Sequence, residues 1–252
     1  MPNNDYDRYN FSFRNTTNFL NNKFILDTSA NYIIQNDKNM VSQGQYFNPL
    51  TSLYLFPRGE DFSDVAVYER YDDLSGVNTQ YWPYGDLGGV SSQNPYWIMN
   101  RMNRENDRRR YKLAASLQYN IIEGLNVQGR VSIDNTESKY TEKFHAGTVG
   151  NFAGPKGRYK EENRLDRQVY ADVLANFNKT FNEFNVTANL GASIKDLRME
   201  LTSLHGDLNN VTNHFTIENL TRSGYYKVDA DGLKRQTQSV FANAEIGWRS
   251  FL

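Results

Sequence analysis

Cysteine is absent from the 252 residues, and histidine occurs only three times. Without cysteine the chain can form neither a disulfide framework nor a thiolate-ligated metal site. His145 and His214 each lie in a predicted loop, with no companion at the spacing of metal ligands. We therefore expect no metal and no cofactor.

Neither sign of charge dominates, since the formal net charge is −1. No global field therefore favours nucleic acid or an anionic membrane surface, and the chain has no basic arm or acidic tail. No run approaches the ~20 apolar residues of a membrane helix, and the mean hydropathy is −0.73. The first residues, MPNNDYDRYNF, lack the regions of a signal peptide. Transmembrane β-strands escape such tests, because alternation of polar and apolar residues keeps their mean hydropathy low.

The common catalytic motifs are also absent: GxSxG, HExxH, Walker A and the Rossmann fingerprint. Asp229–Gly232 resembles part of a calcium loop but lacks the first acidic ligand and the bidentate glutamate, which favours a β-turn. A hydrolase would need a catalytic carboxylate pair at the loop tips, and none is found. We predict that the protein is not an enzyme.

The sequence is rich in tyrosine (17) and phenylalanine (15), and its dominant pattern is period-two alternation, which recurs seven times. In one segment, for example, Val127 and Val131 share one face, whereas Gln128 and Arg130 share the other. Arg249 and Ser250 resemble a further turn, after which Phe251 and Leu252 would begin an eighth strand. The predicted strands are residues 8–20, 23–34, 110–121, 125–135, 168–181, 184–195 and 238–249.

The predicted connections alternate between very short and very long. Turns near residues 21–22, 123–124 and 182–183 are short, whereas the loops are about 35–109, 136–167 and 196–236. This asymmetry is typical of outer-membrane barrels, which have tight periplasmic turns and long external loops. Large side chains beside the short turns would form an interfacial girdle: Phe19, Phe24, Tyr119, Leu125, Phe181, Phe184, Trp248 and Phe251.

We therefore predict an all-β fold, an antiparallel transmembrane β-barrel segment of seven to eight strands with long extracellular loops. It would occupy the whole chain, residues 1–252, as part of a barrel domain without its plug. The alternative is a soluble sandwich or propeller, such as a β-rich carbohydrate-binding module. Sandwich strands usually have about 5–6 residues, whereas these strands approach the length of a tilted membrane strand.

The first long loop holds the candidate binding residues. Aromatic rings beside hydrogen-bonding groups suit sugar rings, because flat faces stack on C–H surfaces and polar neighbours bind hydroxyls. The competing interpretation is that these rings form the loop's own core, since so long a loop must bury something to stay ordered. The candidates for ligand or partner contact are Tyr46, Phe47, Tyr54, Phe56, Arg58, Tyr81, Trp82, Tyr84, Tyr96 and Trp97.

Several longer segments carry a family resemblance that covers essentially the whole chain. They resemble the SusC/RagA family of TonB-linked outer-membrane transporters of Bacteroidota. The segments are SQGQYFNPL (42–50), LFPRGEDF (55–62), QYWPYGD (80–86), QNPYWIMNR (93–101), LNVQGRVSID (125–134) and VFANAEIGWRS (240–250).

The resemblance implies a TonB-dependent importer with a ~22-stranded barrel plugged by an N-terminal domain. Such importers usually work with a SusD-like surface lipoprotein that lies over the barrel as a lid, and they take up glycan oligomers or peptides. No signal peptide, TonB box, plug or C-terminal barrel strands are recognised here. The chain would then be an internal section of the barrel wall in the outer membrane. TonB would act through the missing N-terminal region. Side chains expected on the lumen wall or plug contact are Arg130, Asp134, Asp172, Lys195, Glu245 and Arg249.

Overall fold

The computed structural model describes residues 3–40, 46–84, 92–221 and 227–249. Its main body is a seven-stranded antiparallel sheet, which confirms the predicted all-β class. Each strand pairs with its neighbour in the order β1-β2-β5-β6-β7-β8-β9, and a small hairpin, β3-β4, lies in the first long connection. The strands are β1 (Asp5–Phe19), β2 (Phe24–Lys38), β3 (Glu69–Asp72), β4 (Val77–Gln80), β5 (Met102–Ile122), β6 (Leu125–Phe144), β7 (Arg158–Phe181), β8 (Phe184–Asp207) and β9 (Lys227–Trp248).

Two seven-residue helices, α1 (Pro49–Leu55) and α2 (Pro95–Arg101), also lie in the first long connection, with a 3-10 turn at Phe62–Val65. Among the described residues, no helix is long and apolar enough to cross a lipid bilayer. The predicted eighth strand at Phe251 and Leu252 lies outside the described residues.

The strands end close to the predicted positions at the short turns but run much further at the opposite end. β7 begins at Arg158 rather than near 168, and β8 ends at Asp207 rather than near 195. The second and third loops predicted at 136–167 and 196–236 were therefore too long, and so was the first. In these extensions charged residues occur on both faces. These extensions lack the apolar alternation of the inner strands. Backbone hydrogen bonds between neighbouring strands and ion pairs such as Lys143–Glu105 (3.0 Å) stabilise them instead.

The register sorts side chains onto two unlike faces, because directly paired residues of an antiparallel sheet share a face. Val131 of β6 pairs with Ala115 of β5 and with Ala171 of β7, and such rows make one face apolar. The opposite, polar face carries ion pairs. Arg130 Nε donates to Asp172 Oδ1 at 2.9 Å, and the Asp172 side chain has no exposed surface.

The short turns depend on residues that tolerate the left-handed backbone region. Asn21 and Asn22 have φ values of 53° and 63°, and Asn182 has 50°. Gly124 has φ 84°, and a side chain there would also meet the carbonyl oxygen of Asn178. The predicted turn chemistry is therefore what reverses the chain between neighbouring long strands.

Gly191 is a close-packed point on the polar face. It pairs with Phe241 on β9, whose ring lies over it. A Cβ at Gly191 would lie 2.5 Å from Phe241 Cε2 and 3.1 Å from Leu174 Cδ1. An aromatic ring that covers a strand glycine shields the exposed backbone and fixes the local register.

We predict that Gly191→Val lowers the free energy of unfolding of the sheet by about 1–3 kcal/mol, because the ring must leave its position. The measurement is the thermal midpoint of unfolding, followed by the circular dichroism signal of the β-sheet. Gly129→Val is the matched control. A Cβ there meets nothing nearer than 4.0 Å, so its midpoint should stay near that of the wild type. Equal loss in both variants would contradict the packing argument.

Candidate functional site

The three long connections meet at one end of the sheet and form a folded unit, the loop cap (residues 46–84, 92–101, 145–157 and 208–221). The cap has its own apolar cores, whereas few residues of the sheet are buried. The first core contains Trp97, Ile98 and Ala153 together with Met102 and Phe144 from the adjoining ends of β5 and β6, with Phe47, Tyr68 and Phe152 packed against it. The second contains Tyr159, Leu208 and Leu220, with Phe215 packed against it.

Both cap helices begin in the same way, with asparagine followed by proline. The Asn48 side chain accepts a hydrogen bond from the Leu50 backbone N–H at 3.0 Å, and that of Asn94 accepts from Tyr96 at 2.8 Å. Proline suits the first helical position, because its fixed φ matches the helix and its missing donor is not needed there. These repeated Asn-Pro starts explain why such short helices form at defined positions.

Asn94 also fastens the hairpin to α2. It is fully buried, and its Nδ2 donates to the carbonyl oxygens of Val65 (2.8 Å) and Tyr81 (2.9 Å). Its backbone N–H donates to Gln80 Oε1 at 3.2 Å. A buried amide that satisfies this many backbone groups is costly to replace. The segment QNPYW, which carries part of the family resemblance, therefore has a structural role in the cap.

A charged cluster joins the connections to one another. Arg101 Nε and Nη2 donate to the two carboxylate oxygens of Glu69 at 2.8 and 2.9 Å, and this hydrogen bonding lowers the pKa of Glu69. The backbone N–H of His145 donates to the Arg101 carbonyl at 3.0 Å, and its ring meets Phe215 at 4.9 Å. Burial lowers the pKa of His145 to about 4, the charge of Arg101 adds to this effect, and Glu69 opposes it. His145 is therefore uncharged at neutral pH, and it contacts Arg101 of the first connection and Phe215 of the third.

Several predicted binding residues lie inside the cap. Trp97 is 1% exposed, and its Nε1 donates to Thr148 Oγ1 at 3.0 Å. The Phe47 ring lies 5.0 Å from Phe152, and the Tyr46 ring lies 5.1 Å from the same side chain. In this arrangement Trp97 has almost no surface to offer a ligand, and Phe47 is committed mainly to packing.

A second aromatic group lies around Phe56, whose ring is 5.0 Å from Phe62, 5.2 Å from Tyr84 and 6.3 Å from Trp82. Trp82 Nε1 donates to Ser92 Oγ at 2.7 Å. Phe62 also contacts Tyr96, at 5.7 Å. These rings are half-buried, so each can present one edge outward while the other side holds the cap together.

Tyr81 forms a separate contact in which the Arg70 guanidinium lies 3.3 Å from the ring centroid. This is a close cation–π arrangement. Tyr81 is half-buried, so the arginine covers the face that a ligand would otherwise use.

Of the predicted residues, Tyr54 and Arg58 are exposed, and Tyr54 is 86% exposed. Tyr54 lies on α1 beside Leu50 and Leu53, which are also exposed. These three residues, the α1 face, share one side of the helix because their spacing is i, i+3, i+4. Leu50 and Leu53 were not predicted, because both lie within the loop predicted at residues 35–109. The helical spacing within PLTSLYL was the available signal.

In the part of the chain that the structure describes, no group of three or more His, Cys, Asp or Glu side chains is placed to hold a metal ion. The arrangement offers aromatic edges, an exposed apolar helix face and paired charges, which suit binding better than catalysis.

Comparison with known proteins gives a structural likeness only. No protein-family model matches the sequence, and no curated protein matches it. The structure of the RagAB peptide importer in its open-open state is similar, with a TM-score of 0.70 and 12% sequence identity. The alignment covers 98% of this chain and 26% of that chain.

Two further structures, the RagAB peptide transporter and the RagAB importer in its closed-closed state, have TM-scores of 0.66 and 0.65. Identity and coverage are the same as for the first, so this chain spans about a quarter of the chains that it matches. At this identity the likeness shows the fold: the seven-stranded sheet matches part of a transporter barrel. The likeness is to a transporter rather than to an enzyme.

We predict that the cap loosens as the pH falls from about 6.5 to about 4, while the sheet stays intact. His145 is neutral in the folded cap, whereas the unfolded segment takes up a proton near its ordinary pKa of about 6.5. The unfolded state thus binds more protons, and the cap loses about 1–2 kcal/mol across this window, after an allowance for partial exposure. Hydrogen exchange of cap amides in the complete protein measures the loss.

The carboxylate of Glu69 has a lowered pKa, so its contribution is lost only below about 4.5 and does not explain a change at higher pH. His145→Gln should remove most of the pH dependence between about 4.5 and 6.5. His214→Gln, another histidine substitution within the cap, should retain it. Unchanged pH dependence in His145→Gln would contradict the assignment.

Proposed function

We propose that this chain forms a section of the wall and external cap of a TonB-dependent importer in the outer membrane. The observation that carries the proposal is the shape of the apolar area on the sheet. Its residues do not follow a row of the register. They form a diagonal band, as expected for tilted strands that cross a layer of constant thickness.

The upper limit of the band, on the side of the long connections, moves toward the short turns from β1 to β9. On β1 the band begins at Tyr9. The register aligns Tyr9 with Gly232 of β9, but on β9 the band begins at Val240, eight residues closer to the short turns. The lower limit descends in the same direction, from Phe19 on β1 to Trp248 on β9. Shifts of about six to eight residues over six strand spacings correspond to a tilt of roughly 35–45°, at about 3.4 Å per residue and 4.8 Å per spacing.

This tilt matches that of outer-membrane barrels, and the band has a height of about 25 Å, as theirs does. Within the described residues no second layer covers the apolar face. Phe13 is 63% exposed, Val240 80% and Ile246 66%. A soluble protein rarely exposes so large an apolar area. This observation favours lipid as the solvent of this face, over the alternative of a soluble carbohydrate-binding module.

The polar face then lines the lumen or meets the plug, and the loop cap lies at the external end. Arg130, Asp134 and Asp172 lie on this face as the sequence predicted, in the pairs Arg130–Asp172 and Arg110–Asp134. Arg249 instead pairs with Glu183 at a short turn, with an Nη2–Oε1 distance of 2.6 Å. Paired charges keep the wall hydrated without leaving isolated charges beside the membrane.

For the substrate we propose a peptide, with a glycan oligomer as the second candidate. The sequence favoured glycans because of the aromatic residues in the first loop. Most of these rings pack against each other in the cap, which weakens that argument. The similar structures are described as peptide importers, and the paired charges and amides of the polar face suit peptide backbone and side-chain groups.

For the partner we propose a SusD-like surface lipoprotein that docks as a lid on the α1 face, as the family resemblance implies. Leu50, Leu53 and Tyr54 point away from the cap core, and a helix that exposes its apolar side is typical of a surface covered by another protein. TonB would supply the energy for uptake, as the family resemblance implies.

We predict that Val131→Arg, on the apolar face, blocks membrane assembly of the complete protein, because an arginine near the bilayer midplane costs about 2–4 kcal/mol. Gln128→Arg, on the polar face of the same strand, should assemble normally. The measurement is heat-modifiable migration of protein from outer-membrane fractions. Equal assembly of the two variants would exclude the membrane assignment.

We also predict that the double variant Leu53→Asp/Tyr54→Ala releases the lid lipoprotein, lowering its co-purification with the transporter at least about tenfold, since loss of a buried aromatic and an apolar anchor costs more than about 1.4 kcal/mol. Leu74→Asp is the control. This leucine is 98% exposed but lies at the tip of the β3-β4 hairpin. A similar loss in the control would show that the effect is not specific to the α1 face.

A further inference from the structure

Three cations stand side by side on the apolar side of the sheet, above the band. Arg167 of β7 pairs in register with Arg198 of β8, which in turn pairs with Lys234 of β9. We call these three residues the basic row. All three are exposed. Directly opposed side chains lie about 5 Å apart at Cβ, so like charges in this arrangement repel one another.

Where two charged residues pair in register elsewhere above the band on this side of the sheet, they are opposite in sign. Arg109 of β5 pairs in register with Glu137 of β6, and Asp107 pairs with Lys139. Lys139 Nζ also lies 3.5 Å from Glu161 Oε2 on the next strand. The basic row departs from this rule in two successive strand pairings.

The nearby carboxylates compensate only part of the charge. Arg198 forms an ion pair with Glu200, the next residue outward on the same face. Asp196 lies one position closer to the band. Among the described residues, neither Arg167 nor Lys234 has a carboxylate within ion-pair distance, and neither does Asp196 have a cation. The guanidinium group of Arg167 is therefore exposed without a carboxylate partner among the described residues, and it can meet an external anion.

The distance of the basic row from the edge of the apolar band indicates the source of that anion. Arg167 is the first residue of its face above Val169, where the band ends on β7. Along strands tilted by about 40° it lies about 5 Å above the apolar limit, and Arg198 lies about 10 Å above it. Lipid headgroups begin at this level, since they occupy the layer just outside the ~30 Å hydrocarbon core.

We infer that the basic row is a binding site for the phosphate groups of an outer-leaflet lipid, of the phosphorylated glycolipid type. The planar guanidinium group of Arg167 can bind two phosphate oxygens. Arg198, whose Nε and Nη2 already donate to Glu200, adds the donors of its remaining edge, and Lys234 adds a point charge on the outer side. The phosphate relieves the repulsion within the row while the acyl chains cover the apolar band. This inference rests on the membrane placement proposed above.

The test uses the complete transporter in phosphatidylcholine nanodiscs prepared with and without diphosphoryl lipid A. Lipid A that remains bound after washing with zwitterionic detergent is quantified per protein. We expect the double variant Arg167→Gln/Arg198→Gln to retain about tenfold less lipid A than the wild type. Arg109→Gln is the matched control, because Arg109 lies on the same side above the band but faces Glu137. It should retain as much as the wild type.

The thermal midpoint of unfolding gives a second measurement, because the difference between Arg167→Gln and the wild type should reverse its sign when lipid A is added. Without lipid A, Arg167→Gln should raise the midpoint slightly, because it removes a repulsion. With lipid A, the wild type should gain stability and the variant should gain much less.

Equal retention by the double variant and the wild type would overturn the inference, and so would equal loss in Arg109→Gln. Displacement of lipid A by inorganic phosphate in solution would show a site for free phosphate instead, which also overturns it. A wild-type protein that fails to enter nanodiscs would contradict the membrane placement itself. A protein that enters normally without lipid preference would contradict only the site.

Discussion

The antiparallel register is the constraint on which the other features of this protein depend. Side chains alternate between the faces with a period of two, so a slip by one residue would exchange every apolar side chain with a polar one. Such a slip would bring Arg130 to the face that carries Val131 and would separate it from Asp172. The close-packed pair Gly191–Phe241 and the left-handed asparagines of the short turns fix the same register from different positions.

The period-two alternation and the turn residues were sufficient to predict the strands of the main sheet. It identified seven strands, their two faces and the short turns, because apolar residues with a period of two can bury only one face. It did not predict the outer halves of the long strands. Residues 158–167, for example, carry charges on both faces, and they remain extended because β6 and β8 supply hydrogen-bonding partners on each side. Pairing with distant strands is tertiary information that a local pattern does not contain.

The loop cap shows a similar limit for the candidate site. Composition predicted aromatic side chains suited to ligand binding, but it could not show which rings face inward. Trp97 is buried because Asn94 and Pro95 start a helix directly before it and Thr148 provides a partner for its indole nitrogen. Tyr54 belongs to a similar Asn-Pro helix and is exposed. The difference arises from what packs against each helix, which depends on connections that are distant in sequence.

The sheet and the loop cap therefore differ in what they expose. The aromatic residues of the cap stabilise it by packing against one another, so few rings remain for stacking against a ligand. In the proposed importer, the groups left for recognition are the ring edges around Phe56, the α1 face and the charged and amide groups of the polar face. On the other side of the sheet, the same alternation that makes the wall polar inside makes it apolar outside. In the proposed importer, acyl chains along the band and anions at the basic row therefore contribute to the stability of the sheet.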